Sequence, residues 1–160
     1  MQDSFSLITD KFLTCMKKMI VLEIICFLLI ALLLYAGVSR LLELKTFTDD
    51  INNQPLPNRL TPLFVYGIPA WQLLTAIALM FEKTRLVGFW SALAIMMLYA
   101  TYNTLILINY FGRIPCTCGG MIRHLDWKPH LVFSLFFAGV SLAGILLKRK
   151  HALKASAHAA

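Results

Sequence analysis

Four long apolar stretches, Met19 to Val38, Leu63 to Phe81, Leu86 to Ile108 and Leu131 to Leu147, set the pattern of hydrophobic and polar positions along this chain. A helix needs roughly 20 mostly apolar residues to cross the hydrocarbon core of a bilayer, and each stretch comes close to that. A segment in lipid must satisfy its own backbone N–H and C=O groups, so apolar runs of this length form helices. The pattern therefore predicts an all-α fold, an integral membrane four-helix bundle. Residues 1–18 form a cytoplasmic N-terminal segment, 19–147 the membrane domain and 148–160 a cytoplasmic tail, whose Ala-rich end from Ala152 is expected to be irregular.

The segment from Ser39 to Pro62 has its own pattern. Leu41, Leu44, Phe47 and Ile51 recur near helical spacing, with Glu43, Lys45, Asp49 and Asp50 between them. That spacing predicts an amphipathic helix on the outer interface, ended by Pro55 and Pro57. Capping the bundle is its simplest role. Pro62, Gly67 and Pro69 predict a kink near the outer end of the second span.

Composition narrows the function classes. Of 160 residues, 59% are hydrophobic and 14% charged, and the mean hydropathy is +0.71, so the lipid bilayer is the expected solvent. What lies outside the spans is too short for a separate core, so the chemistry belongs to the bundle, its surfaces or a partner. The net charge of +7 would fit a nucleic-acid partner only if the basic residues shared one face. They flank the apolar runs instead, which is the membrane-anchoring pattern. Lys11, Lys17, Lys18, Lys83, Arg85, Lys148, Arg149, Lys150 and Lys154 fall on one side, and Arg40, Lys45, Arg59, Arg113, Arg123 and Lys128 on the other. The richer side is the cytoplasmic one, with both termini inside. The first stretch has no small-residue cleavage site and runs from Tyr35-Ala36-Gly37-Val38 straight into Ser39-Arg40, so it reads as a retained span.

Candidate chemistry gathers in the loop between the third and fourth stretches, where Cys116 and Cys118 stand one residue apart. On the outer side of a bacterial membrane these thiols meet an oxidising compartment. A disulfide across one intervening residue strains the usual Cα separation of about 5.5–6 Å and is easily reduced. Pro115 fixes the entry to the turn, and Gly119 and Gly120 give it permissive dihedrals. The basic residues Arg113, Arg123 and His124 are placed to lower a thiolate pKa. A redox-active pair, a structural disulfide and a metal site on Cys116, Cys118, His124 and His130 are the three readings. The last has no specific zinc spacing, so no metal is assigned.

His130 is a candidate proton or quinone contact or a helix cap, and Trp127 reads as an interfacial anchor. Cys15 lies among cytoplasmic basic residues. Cys26 lies about 10 Å into the first span at about 1.5 Å per residue, too deep to exchange with the outer pair, and reads as a small core residue. Glu23 is expected to snorkel or pair with a cytoplasmic Lys. Gln72, Thr101, Asn103, Thr104 and Asn109 read as interhelical hydrogen-bond glue, and as a quinone pocket only if they face one cavity.

Three segments carry a family resemblance: Leu34-Tyr35-Ala36-Gly37-Val38-Ser39-Arg40-Leu41, Thr84-Arg85-Leu86-Val87-Gly88, and above all Pro115-Cys116-Thr117-Cys118-Gly119-Gly120 followed by Asp126-Trp127-Lys128-Pro129-His130-Leu131. From about Leu22 to Leu147 the chain resembles the MauE/DoxX family of redox-associated membrane proteins, particularly members from Bacteroidota. The resemblance implies a four-helix membrane bundle laid out like the vitamin K epoxide reductase and DsbB type, and a link between periplasmic thiols and the membrane. Gln72 stands where relatives often carry an acidic residue, which argues against a proton relay there. The resulting expectation is a bacterial inner-membrane thiol–disulfide component. Its Cys116–Cys118 pair would exchange electrons between a periplasmic thioredoxin-like protein, or another membrane subunit, and a membrane carrier such as quinone. The chain lacks a second relay pair, so quinone meets Cys116 or Cys118 directly or a partner brings that pair. The rival is a non-catalytic accessory subunit with a structural disulfide. A transporter is weaker still, for want of a charged pathway.

Overall fold

The structure is a computed structural model that describes residues 2–54, 57–110, 112 and 127–158. Five helices run along them: α1 (Gln2–Leu42), α2 (Leu44–Asn52), α3 (Thr61–Met80), α4 (Arg85–Leu107) and α5 (Trp127–His158), with one 3-10 turn at Asn58–Leu60. Four of these are long and apolar enough to cross a membrane, over Met16–Leu42, Thr61–Met80, Arg85–Leu107 and Trp127–Lys150. The Ala-rich end expected to be irregular is instead helical through His158. It extends an existing helix with the best helix former, so no new nucleus has to form.

The spans pack in a ring, α1 against α3, α3 against α4, α4 against α5 and α5 against α1. Consecutive spans are therefore neighbours, and the start of α1, the α3–α4 turn and the end of α5 share one end of the bundle. The opposite end, here the loop end, carries α2 and the termini of α4 and α5 that bracket the cysteine segment. Leu29, Leu33, Ala36, Ala76, Leu79, Phe89, Ala92, Met96 and Ile145 fill the centre, while Phe27, Tyr35, Leu63, Leu74, Val87 and Phe136 stay exposed on the outside. In lipid such an outer face costs nothing. Association then depends on close packing, and glycines allow it at two places. A Cβ on Gly88 would lie 2.9 Å from Leu79, and one on Gly144 would collide with the Phe89 ring.

α2 is the amphipathic helix of the sequence analysis, with a shifted start. Leu41 closes α1 and is exposed, and Glu43 breaks the path between the two helices. Phe47 and Ile51 are buried with Val65, against Leu44 and Phe64, so α2 caps the loop end. The helix stops at Asn52, with Thr61 Oγ1 donating to Asn52 Oδ1 at 2.8 Å. The stop falls short of Pro55 because a residue preceding proline disfavours helix. α3 begins with Pro62 in its first turn, where the missing N–H is no loss. It runs as one assigned helix through the buried Pro69.

At the terminal end, Glu23 pairs with Arg85 at 2.6 Å and Lys148 with Glu82 at 3.2 Å. The partner of Glu23 is therefore an arginine at the start of α4 rather than a lysine on its own helix. This contact joins α1 to α4.

Candidate functional site

The polar residues of the spans fall into two groups. Thr101 Oγ1 and Thr104 Oγ1 donate to the carbonyls of Met97 and Ala100, each at 2.8 Å, and so satisfy themselves on their own helix. Asn109 takes a φ of 55° just past α4 and ends the helix, a conformation asparagine tolerates better than most residues. None of the three shows the interhelical bonding expected of it. True cross-helix bonds join α3 to α4 elsewhere: Trp71 Nε1 donates to Ser91 Oγ at 2.8 Å, and Ser91 meets Thr75 Oγ1 at 2.7 Å.

The second group converges at the loop end. Arg40, in the last turn of α1, is 7% exposed. Its guanidinium lies 4.6 Å from the Phe47 ring centre and 5.7 Å from that of Tyr99, and its Nη1 donates to Tyr99 Oη at 3.0 Å. Aromatic faces and a hydroxyl acceptor can stabilise a buried cation. Gln72 Nε2 donates to the same Tyr99 Oη at 3.5 Å. Tyr102 Oη donates to Gln54 Oε1 at 2.6 Å, and Gln54 Nε2 to the Asp50 carbonyl at 3.2 Å, tying α4 to the end of α2. Burial pushes the Asp50 carboxyl up from its ordinary value, and the Arg40 charge draws it partly back.

These residues border a cavity of about 210 Å³ between α3 and α4, beneath α2. Arg40, Gln54, Gln72, Tyr99 and Tyr102 are among the residues around it and Trp71 forms part of its aromatic wall, but the surface presented to the cavity is almost wholly apolar. Gln72 is fully buried, and its Oε1 has no hydrogen-bond partner. Buried polar atoms nearly always have one. Asn103 Nδ2 is likewise unpartnered, but Asn103 does not line this cavity. Of the polar span residues expected to share one cavity, only Gln72 does so.

Residues 18–147 match the family model of the methylamine utilisation protein MauE. The chain belongs to the MauE family. The MauE match takes in α2, the polar cluster and the loop with Cys116 and Cys118. No curated protein and no solved structure matches the chain.

Within this MauE-family fold, Arg113, Cys116, Cys118, Gly119, Gly120, Arg123 and His124 lie outside the described residues. His130 lies in the first turn of α5, 1% exposed, its ring tilted 6.4 Å from that of Phe133. It does not line the α3–α4 cavity. Trp127, the first residue of α5, is buried within the chain. It packs edge-on against Tyr102 with ring centres 6.3 Å apart, a contact the anchor reading did not include. Cys26 is buried in the main core beside Leu22 and Leu29, as a small apolar residue would be.

Arg40, Tyr99 and Tyr102 were not legible as site residues. Arg40 looks like any basic residue flanking a span, and tyrosines pass unnoticed within an apolar run. The signal that was there is the spacing of Tyr99 and Tyr102, three residues apart and so on one side of α4.

Proposed function

We propose that this MauE-family chain is a thiol–disulfide component of a bacterial inner membrane. Its loop end faces the periplasm, and its basic-rich terminal end faces the cytoplasm. Cys116 and Cys118 alternate between disulfide and dithiol. A partner thiolate attacks one sulfur of the Cys116–Cys118 disulfide and forms a mixed disulfide while the other sulfur leaves as thiolate. The partner's second thiolate then breaks the mixed bond. The partner dithiol is thereby oxidised and the Cys116–Cys118 pair reduced, with protons conserved between the four sulfurs, and the reverse sequence runs the electrons the other way. The partner is a thioredoxin-like periplasmic protein. The membrane carrier is a quinone, which when bound supplies two-electron, two-proton chemistry. Arg113, Arg123 and His124 favour the thiolate, Gly119 and Gly120 let the turn accept both thiol states, and His130 serves as a proton or quinone contact.

The observation that carries this reading is the Pro-Cys-Thr-Cys-Gly-Gly segment within the family match, between α4 and α5. The loop end that brackets it also carries the only buried cluster of cation, amide and phenols found among the described residues.

Single Cys116→Ser and Cys118→Ser variants test the reading. Expressed in the native membrane, one of the two accumulates a reducible covalent adduct with a periplasmic protein, because the remaining thiol attacks but nothing resolves the bond. The double variant inserts normally and loses function. Full function in the double variant, with no adduct from either single one, leaves an accessory subunit with a structural disulfide.

A further inference from the structure

We propose that the cavity between α3 and α4 is the seat of one acyl chain of a membrane phospholipid, held along the bundle and not merely touching its outer face. This seat is independent of the thiol chemistry proposed above.

Two facing stripes form its walls. Phe64, Ile68 and Trp71 recur at helical spacing along α3, and Ile95, Leu98 and Tyr102 along α4. Ile51 in α2 and Gln54 just past it border the space at the loop end. Each wall runs for about 10 Å at about 1.5 Å per residue, from near the loop end of its span to near the middle. One leaflet is half of a hydrocarbon core about 30 Å thick, so the walls follow roughly two thirds of it. The space therefore has the direction and the depth of an acyl chain.

The chemistry of the lining selects hydrocarbon. The surface presented to the cavity is almost wholly apolar, and polar groups around it are turned to one another, Arg40 to Tyr99 and Tyr102 to Gln54. A buried water needs two to four polar partners, so water has little to hold it there, and a polar ligand would lose its own solvation without replacement. Left empty, a space of about 210 Å³ would cost its walls their dispersion contacts. A chain of methylenes restores them and gives up nothing on leaving the bilayer.

The cavity is also open to that chain and fastened at both ends. Trp71 and Leu98 line it and are 40% and 54% exposed on the outer face of the bundle, so lipid enters sideways without passing through water. On the terminal side, Trp71 Nε1 and Thr75 Oγ1 bond Ser91 Oγ and tie α3 to α4. At the loop end, Tyr102 ties α4 to Gln54. Between these bonds the walls stand apart. The hydrocarbon that surrounds them at this depth is the acyl chain of the bilayer phospholipid, which outnumbers any dissolved apolar molecule.

The test uses the full chain in phosphatidylcholine nanodiscs in which a small fraction of the lipid carries a diazirine midway along one acyl chain, with photoadducts mapped by mass spectrometry. Phe136, exposed on the outer face, stands nine residues into α5, and Leu98 nine residues before the end of α4. Phe136 therefore reports, at matching depth, the lipid that only surrounds the bundle. Adducts on Ile68 and Ile95, the latter only 2% exposed, should exceed those on Phe136 at least threefold. Ile68→Trp, which fills the space from one wall, should lower the Ile95 adducts at least fivefold, and Leu98→Trp at the mouth should do the same. Leu74→Trp, at an exposed position on α3, should leave them unchanged. Adducts on Ile95 no more frequent than on Phe136 would reduce the lipid to an unspecific surround and overturn the proposal. Unchanged Ile95 adducts in both cavity variants would overturn it as well, as would their suppression by excess short-chain benzoquinone, which would give the space to a ring ligand.

Discussion

Tyr99 accepts from two helices at once, from Arg40 on α1 and from Gln72 on α3. Replacing it with Phe keeps the ring beside the guanidinium and removes only the shared acceptor, taking one bond from Arg40 and from the buried Gln72 amide NH2 its bond to Tyr99. An unpaired buried donor costs about 1–3 kcal/mol. Tyr99→Phe should therefore lower the unfolding free energy in mixed micelles by about that amount, and Tyr66→Phe, at an exposed position on α3, by close to nothing. Asp50 gives a pH-dependent counterpart. Its folded-state pKa is raised by burial, so the carboxylate form opposes folding above that pKa, and the opposition disappears once both states are protonated, below the ordinary 3.8. Asp50→Asn should stabilise the chain slightly at pH 7 and not at pH 3, as read from melting temperatures at the two values. The contrast between these residues and the sequence is instructive. Gln72 stood out as a polar residue in an apolar run, but Arg40 resembled an ordinary flanking charge, because nothing local reveals that a helix end turns its side chain inward. Glu23 likewise has local lysines to choose from, and its partner Arg85 comes from a different helix.

Elements were more legible than contacts. All four spans were readable because lipid imposes a minimum apolar length, and α2 because Phe47 and Ile51 repeat at helical spacing on a polar background. The helix ends were less so. Leu41 fell to α1 instead of α2, and α5 extended through the alanines to His158, since apolar periodicity marks a buried face and says little about where a helix stops. Packing between elements left only faint traces, of which the glycines are one. Gly144 on α5 faces the ring of Phe89 on α4 with no room for a side chain, and Phe89 is itself wholly enclosed. Gly144→Val should cost about 1–3 kcal/mol through overpacking. Gly139→Val, at a position on the same helix with open space around it, should be near neutral. Thermal unfolding of the two variants in one detergent makes the comparison, and equal losses would show that α4 and α5 do not meet as described.

At the scale of the whole molecule, four spans return the chain to the side from which it started, and the proposed orientation puts that side in the cytoplasm. A membrane-impermeant maleimide applied to reduced, intact spheroplasts should label Cys116 or Cys118 and leave Cys15 unmodified. Labelling of Cys15 alone would invert the bundle. The cysteine loop was the most conspicuous chemistry in the sequence because cysteine spacing is a local property. Its arrangement against the bundle depends on contacts that the pattern does not encode, and it lies outside the described residues. Family membership nevertheless extends across that loop, and it joins two helices that end beside the Arg40, Tyr99 and Gln72 cluster.

Whether the pair is poised for exchange is a question of its reduction potential. Structural disulfides of secreted proteins typically lie below about −300 mV, whereas exchanging ones lie higher. The full chain in nanodiscs, equilibrated against a series of dithiol–disulfide buffers and trapped with an alkylating reagent, reports the redox state of Cys116 and Cys118 directly by mass. A midpoint well above about −300 mV, moving with pH as a two-electron, two-proton couple should, is the result predicted here. A pair that stays oxidised below that potential is a structural staple and contradicts the account.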